Sequence, residues 1–300
     1  MTPNSSTQRR KLVIIGNGMA GARLAEDVIA NDPGRHFDIV VFGDEPYGNY
    51  NRILLSNVLN GSQDAKEIFL NPLSWYEENG VALHAGKRVT AIDREAKTVS
   101  ADGVVEAYDI LVLATGSRPF VPPIAGTSLH GVFVFRTIDD CRNIAGYAKD
   151  RKTAVVIGGG LLGLEAAKGL MTHNLTVSVV EMAPWLMSVQ LDADGGRVLG
   201  QTIDRLGIKA YTGASTKELV GDELNHVRGV RFADGTEIAA DVVVVSAGIR
   251  PNKELAQESG IACERTTTIF TPSANVPSIV AWCTDSSPRS GSRRKYSHND

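Results

Sequence analysis

Two glycine-rich turns are the places where this sequence can do chemistry. Leu12-Val-Ile-Ile-Gly16-Asn-Gly18-Met19-Ala20-Gly21 and Ala154-Val-Val-Ile-Gly158-Gly-Gly160-Leu161-Leu162-Gly163 each close an apolar run on three glycines at the same spacing. Each turn leads into a good helix-forming stretch, Ala22–Ala30 or Leu164–Thr172, and then into a β-rich run, Phe37–Phe42 or Thr176–Val180. The first glycine lets the chain turn sharply. The second lets bare backbone approach a pyrophosphate, and the third packs helix against strand. The start of the helix then faces the phosphates with free N–H groups and the positive end of its dipole. One such turn is a weak signal. Two copies, each in a strand–turn–helix–strand unit of about 30 residues, predict two dinucleotide sites.

An acidic residue is expected to close each unit by accepting the ribose hydroxyls at the end of the second strand. Glu181 takes that position in the second unit, directly after Val-Ser-Val-Val180. In the first unit Asp44 and Glu45 both follow Gly43, and Glu45 is preferred. A second repeated element is the pair Asp109-Ile-Leu-Val-Leu-Ala114-Thr115-Gly116-Ser-Arg118-Pro119 and Asp241-Val-Val-Val-Val-Ser-Ala-Gly248-Ile-Arg250-Pro251-Asn252. Continuous apolar runs are strands buried on both faces, and their glycine exits line the ligand crevice of an open sheet. Shorter hairpins lie between fingerprint and exit, Val89–Asp93 with Thr98–Ser100 and Val227–Phe232 before the Asp234-Gly235 turn. The fold class predicted is α/β, with two Rossmann-like dinucleotide-binding domains.

Composition narrows the function classes. The 300 residues, 43% hydrophobic and 22% charged, suit a globular protein of about two domains. A net charge of −3 gives no reason to expect a nucleic-acid partner. The N-terminus is polar, with no apolar stretch for a signal peptide or membrane span, so a cytoplasmic protein without membrane contact is expected. Three cysteines, Cys141, Cys263 and Cys283, form no CxxC pair, and six histidines are scattered, so neither a metal site nor a catalytic nucleophile is predicted.

Further motifs carry a resemblance. Glu45-Pro46, then Asn49-Tyr-Asn-Arg52-Ile-Leu-Leu-Ser56, Phe135-Arg-Thr-Ile-Asp-Asp140, Gly158–Ala166 and Gly248-Ile-Arg-Pro-Asn252 resemble the pyridine-nucleotide-dependent flavoprotein family. Within it the similarity, running from Leu12 to Ile261, is to the N-terminal FAD/NADH part of assimilatory nitrite reductase large subunits. The resemblance implies FAD on the first unit, residues 1–125 with a return segment 247–300, and NAD on an inserted second unit, residues 126–246. It places Gly16, Gly18, Met19, Ala20, Gly21, Glu45, Arg52, Val89, Ala114, Thr115 and Gly116 against FAD, with Arg52 beside the pyrophosphate. Gly158, Gly160, Leu161, Leu162, Gly163, Glu181 and Gly248 fall to the nicotinamide cofactor. The implied activity passes electrons from NADH through FAD to an acceptor domain or protein, iron–sulfur, siroheme or rubredoxin-like.

Three departures from the family pattern matter. Tyr47–Leu59 contains no cysteine pair, which excludes a redox disulfide there. Asn57 stands where relatives tend to have a lysine able to pair with the glutamate matching Glu165. After Pro277–Ala281 the expected flavin-closing element is replaced by Trp282-Cys-Thr-Asp285 and a polar, basic tail, so a fold without the family's C-terminal interface domain is expected. A truncated or frame-shifted chain is one explanation. The alternatives to a nitrite-reductase-like module are a rubredoxin or ferredoxin reductase, and an inactive nucleotide-binding remnant.

Overall fold

The structure, a computed structural model, describes residues 9–263 and the Ile279–Ala281 strand. Residues 1–8, 264–278 and 282–300 lie outside the described residues, and with them the N-terminal start, the altered flavin-closing element, Cys283 and the basic tail.

Two five-stranded, all-parallel sheets repeat one plan. The first runs in the order Ile279–Ala281, Ile110–Leu113, Arg10–Ile15, Phe37–Gly43, Ala82–Ala85. The second runs Val132–Val134, Val242–Val245, Thr153–Ile157, Thr176–Glu181, Lys209–Thr212. The fingerprint strand is central in both. It reads as an unbroken apolar run because a parallel sheet is covered on both faces, and Val13, Ile14 and Val156 are fully buried. The equivalent edge strands come from opposite directions, since Val132–Val134 precedes its fingerprint and Ile279–Ala281 follows its own. Each unit also carries a three-stranded antiparallel meander: Val89–Asp93, Thr98–Ala101 and Val104–Ala107 in the first, Thr216–Gly221, Val227–Phe232 and Glu237–Ala239 in the second. The Val104–Ala107 strand escapes the sequence pattern, being only four residues with an exposed Val105.

The helices after the turns are Met19–Asn31 and Leu161–Met171, each beginning three residues earlier than periodicity predicts. The third glycine of each fingerprint therefore lies inside the first turn. Glycine is a poor helix former, which hides that turn from propensity, yet packing demands it. A Cβ on Gly21 would stand 1.9 Å from the Gly16 carbonyl oxygen, and one on Gly163 1.9 Å from that of Gly158.

Two features join the units. The exit segments Ser117–Pro119 and Ile249–Pro251, legible in the sequence only as proline-stopped loops, pair with each other antiparallel. The long connection after the first βαβ unit also crosses over: Tyr50, Leu55, Leu59 and Ile68 share one core with Ile138, Ile144, Val156, Leu170 and Val244. Cys141 lies in that core too, 1% exposed.

Candidate dinucleotide sites

The two turns share their backbone hydrogen bonds to the second strand and to the exit. The Gly16 N–H donates to the Phe42 carbonyl and the Gly158 N–H to the Val180 carbonyl, both at 2.8 Å. The exits match as well: Ala114 N–H donates to Ile15 at 2.7 Å and Ser246 N–H to Ile157 at 2.8 Å. Gly16 and Gly158 share a φ of +117°, and a Cβ on either would lie within 2.0–2.2 Å of the neighbouring exit carbonyl oxygen, Ala114 or Ser246. By contrast, Cβ atoms on Gly18 and Gly160 would meet nothing within 4 Å among the described residues. These two glycines are the N-caps of the helices, and no side chain caps either start. The result is a pair of like cradles with bare backbone, uncapped N–H groups and a helix dipole, the donor set that a pyrophosphate requires. Met19 and Leu161, the first residues of the two helices, stand exposed beside them, with Ala20 and Leu162 half-buried behind.

Glu181 ends its strand against the second turn. Its Oε2 accepts the Gly159 N–H at 2.7 Å and its Oε1 the Ala183 N–H at 2.8 Å. An ionised carboxylate has about four acceptor positions, so capacity remains for two ribose hydroxyls.

The first unit is arranged differently. Register makes Gly43, not Glu45, the counterpart of Glu181, because Phe42 and Val180 pair with Ile15 and Ile157. Glu45 Oε2 accepts the Tyr50 hydroxyl at 2.6 Å, and its Oε1 pairs with Arg52 Nη2. Arg52 also donates to the Arg136 carbonyl at 2.9 Å and sits 5.0 Å over the Tyr50 ring. Glu45 and Arg52 are thus held by each other. Burial pushes the Tyr50 hydroxyl pKa up, so it remains a donor to that carboxylate. Arg136, not singled out by the sequence, brings a second guanidinium to this place, donating to Ser117 Oγ at 2.7 Å. Burial, followed by the neighbouring Arg52 charge, lowers its pKa. Val89 opens the meander two residues after Lys87, whose N–H donates to the Gly43 carbonyl at 2.8 Å.

The strand exits meet between the sheets. Thr115 Oγ1 donates to the Asn252 carbonyl at 2.6 Å, Asn252 Nδ2 to the Thr115 carbonyl at 2.9 Å, and the Asn252 N–H to the Gly116 carbonyl at 3.0 Å. Gly116 and Gly248 have φ of +66° and +110°, and a Cβ on either would meet nothing within 4 Å among the described residues. Asn252 is the residue that sequence reasoning quoted only as a motif end, and it ties one exit to the other. Glu165 is half-buried on the Leu161–Met171 helix, and burial raises its pKa. Asn57 turns its amide to Gln63 Oε1 at 2.9 Å.

Thiol chemistry finds no support at Cys141. Burial pushes its pKa up to about 12, and its Sγ lies 3.5 Å from the Leu55 carbonyl oxygen. A reactive cysteine needs an accessible thiolate, so Cys141 should stay unlabelled by a thiol reagent at pH 8 and react only after denaturation. Peptide mass mapping before and after urea checks this, and native labelling at Cys141 would contradict it. Two of the histidines come together, His130 and His226 with ring centroids 5.2 Å apart, and Tyr147 lies 2.8 Å from His226 Nδ1. Among the described residues no cluster of His, Cys, Asp and Glu could hold a metal ion, and no helix is long and apolar enough to cross a membrane.

Comparison with known proteins agrees with this geometry. The family model described as pyridine nucleotide-disulphide oxidoreductase matches residues 10–279. The chain is 48% identical over 260 residues to a nitrite reductase [NAD(P)H] of Bacillus subtilis, covering 86% of this chain and 32% of that protein. It is 41% identical to the assimilatory nitrate reductase electron transfer subunit of the same organism, covering 86% and 33%. The chain therefore spans about a third of the length of these relatives. Among solved structures, the putidaredoxin reductase–putidaredoxin complex aligns with a TM-score of 0.83 at 28% identity, covering 91% of this chain and 67% of the other.

Proposed function

The chain belongs to the pyridine nucleotide-disulphide oxidoreductase family, and we propose that it is the NADH-oxidising FAD module of a nitrite-reductase-like electron-transfer system. The observation that carries the proposal is the pair of open cradles at Gly18 and Gly160, one for each dinucleotide. On this reading residues 1–125 with 247–300 receive FAD and residues 126–246 receive NADH, while the paired exits at Thr115–Gly116 and Gly248 border the space where the two ring systems meet.

The chemistry supplied by the flavin when bound is acceptance of a hydride and release of electrons singly, which suits a metal-centre acceptor. The residues of this chain bind and orient. The uncapped helix starts hold phosphates, Arg52 and Arg136 bring positive charge to the first site, and the Thr115–Asn252 hydrogen bonds fix the exits relative to each other. A nitrite-reductase type of acceptor is favoured because identity to the nitrite reductase is 48% over 260 residues, against 34% over 256 residues to a chlorobenzene dioxygenase ferredoxin reductase component. The test is an acceptor screen with NADH-reduced protein. Faster reoxidation by a siroheme and iron–sulfur domain than by rubredoxin or ferredoxin supports the proposal, and the reverse order would favour a ferredoxin-type reductase.

Glu181 sets the nicotinamide preference. Its carboxylate accepts ribose hydroxyls and repels a 2′-phosphate, and Met182–Met187 contains no Arg or Lys to hold one. A hydrogen bond to a charged group contributes about 1.5–3 kcal/mol, roughly one to two powers of ten in affinity. NADH should bind tighter than NADPH, and Glu181→Ala should weaken NADH about tenfold and narrow the gap. Dissociation constants for both cofactors check this; a wild-type preference for NADPH, or an unchanged ratio in the variant, would remove Glu181 from the role.

A further inference from the structure

Superposing the two turns exposes an exchange that neither turn shows alone. Asn17 and Gly159 occupy the same place, between the first and second glycines, and Gly43 and Glu181 occupy the same place at the strand end. In the second unit a Cβ on Gly159 would come within 2.9 Å of the Glu181 Cβ and 2.5 Å of a Leu186 methyl. In the first, a Cβ on Gly43 would come within 3.0 Å of the Asn17 Cβ. A side chain on the turn and one at the strand end therefore crowd each other, and each unit carries only one of the two, Asn17 on the turn in the first and Glu181 at the strand end in the second.

The side chain that each unit carries differs in charge and in partners. Glu181 puts a carboxylate there, held by the Gly159 and Ala183 N–H groups. Asn17 puts a neutral amide there, and its bonds reach away from the sheet. Its Oδ1 accepts the Tyr76 hydroxyl at 2.6 Å, and its Nδ2 donates to the Tyr47 carbonyl at 3.3 Å. Its own carbonyl oxygen accepts from Asn49 Nδ2 at 3.2 Å. Tyr76 is 1% exposed and Asn49 3% exposed, so the bonds that these two side chains make to the half-buried Asn17 are partly shielded from water and costly to break. All three partners lie on the long connection that also carries Arg52.

We propose that Asn17, oriented by Tyr76, is the positioning residue of the first dinucleotide turn, locking the glycine backbone to the Tyr47–Tyr76 connection in place of an acid at the strand end. The inference rests on the proposal that the first unit receives FAD. It makes Asn17 and position 43 a coupled pair: a side chain is tolerated at one only if the other is glycine. The Asn17 amide sets the turn for the phosphates, and no acid stands at the strand end of the first unit, where the residue is Gly43.

The test is FAD affinity of the full apoprotein, read by quenching of flavin fluorescence, alongside its melting temperature. Asn17→Gly should raise the FAD Kd about tenfold, in line with the loss of two hydrogen bonds. Tyr76→Phe should raise it several-fold, whereas Tyr108→Phe, which alters another buried tyrosine of the first unit, should lower the melting temperature at most. Gly43→Glu should weaken binding more than Asn17→Gly does, and the double variant Asn17→Gly/Gly43→Glu should bind FAD better than Gly43→Glu alone. That restoration is opposite in sign to the sum of the single effects. Should Gly43→Glu not fold, the contrast between Tyr76→Phe and Tyr108→Phe decides. Equal Kd values for those two tyrosine variants, or a double variant no better than Gly43→Glu, overturn the proposal while leaving FAD binding by the wild type intact. A wild-type chain that takes up no FAD sinks the functional proposal and this one with it.

Discussion

Replacing Gly18 with valine is expected to abolish FAD binding while leaving the apoprotein folded. Gly18 has φ −81° and ψ −172°, extended backbone that a β-branched residue adopts readily. Its Cβ would meet nothing among the described residues, so the fold pays only the difference between glycine and valine at a helix N-cap, roughly 1 kcal/mol. The ligand meets the side chain instead. Methyl groups placed where backbone must touch a pyrophosphate exclude it from the N–H groups of the helix start, and a loss of at least about 100-fold follows, near 2.7 kcal/mol. Calorimetric titration of the apoprotein with FAD, beside its thermal melt, separates the two effects. Stoichiometric binding by the variant, or collapse of the apoprotein, would contradict the assignment.

Replacing Gly16 with alanine acts on folding, although the two glycines are only two residues apart. Gly16 lies at φ +117°, a conformation L side chains rarely adopt, and its Cβ would stand 2.0 Å from the Ala114 oxygen and 2.6 Å from the Ala114 carbon. Both are backbone atoms fixed by the Ala114 to Ile15 hydrogen bond, so no flexible side chain can give way. Strain of this kind together with displacement of the exit strand should cost at least ~3 kcal/mol. The urea midpoint of the apoprotein should fall accordingly. A loss under about 1 kcal/mol would mean the turn and the exit strand are not locked together.

The residues legible in the sequence are those whose signal is local. A strand, three glycines and a helix follow one another within a few residues, and Glu181 ends its own strand, so chain order alone locates them. The helix starts were missed by three residues because the third glycine of each fingerprint is chosen for packing, against its own helix propensity. Partners distant in the chain were not legible. Arg136 meets Arg52 from 84 residues away and Asn252 meets Thr115 from 137 away, and nothing near either residue announces the meeting. The same reason hides the shared core of Leu55, Leu59 and Leu170. Glu45 follows the strand closely, register gives the strand-end position to Gly43, and the Glu45 carboxylate turns to Tyr50 and Arg52, partners that chain order does not announce.

The central claim is that one chain holds FAD and NADH in two like cradles and passes electrons between them. Its most direct test is to reconstitute the full chain with FAD, remove unbound flavin, and titrate with NADH anaerobically while following the visible flavin absorbance. The protein should be yellow, and its flavin band should bleach with about one equivalent of NADH per bound flavin, the stoichiometry of a single hydride transfer. A chain that stays colourless after FAD treatment, or one that binds FAD whose band is untouched by excess NADH, would contradict the claim.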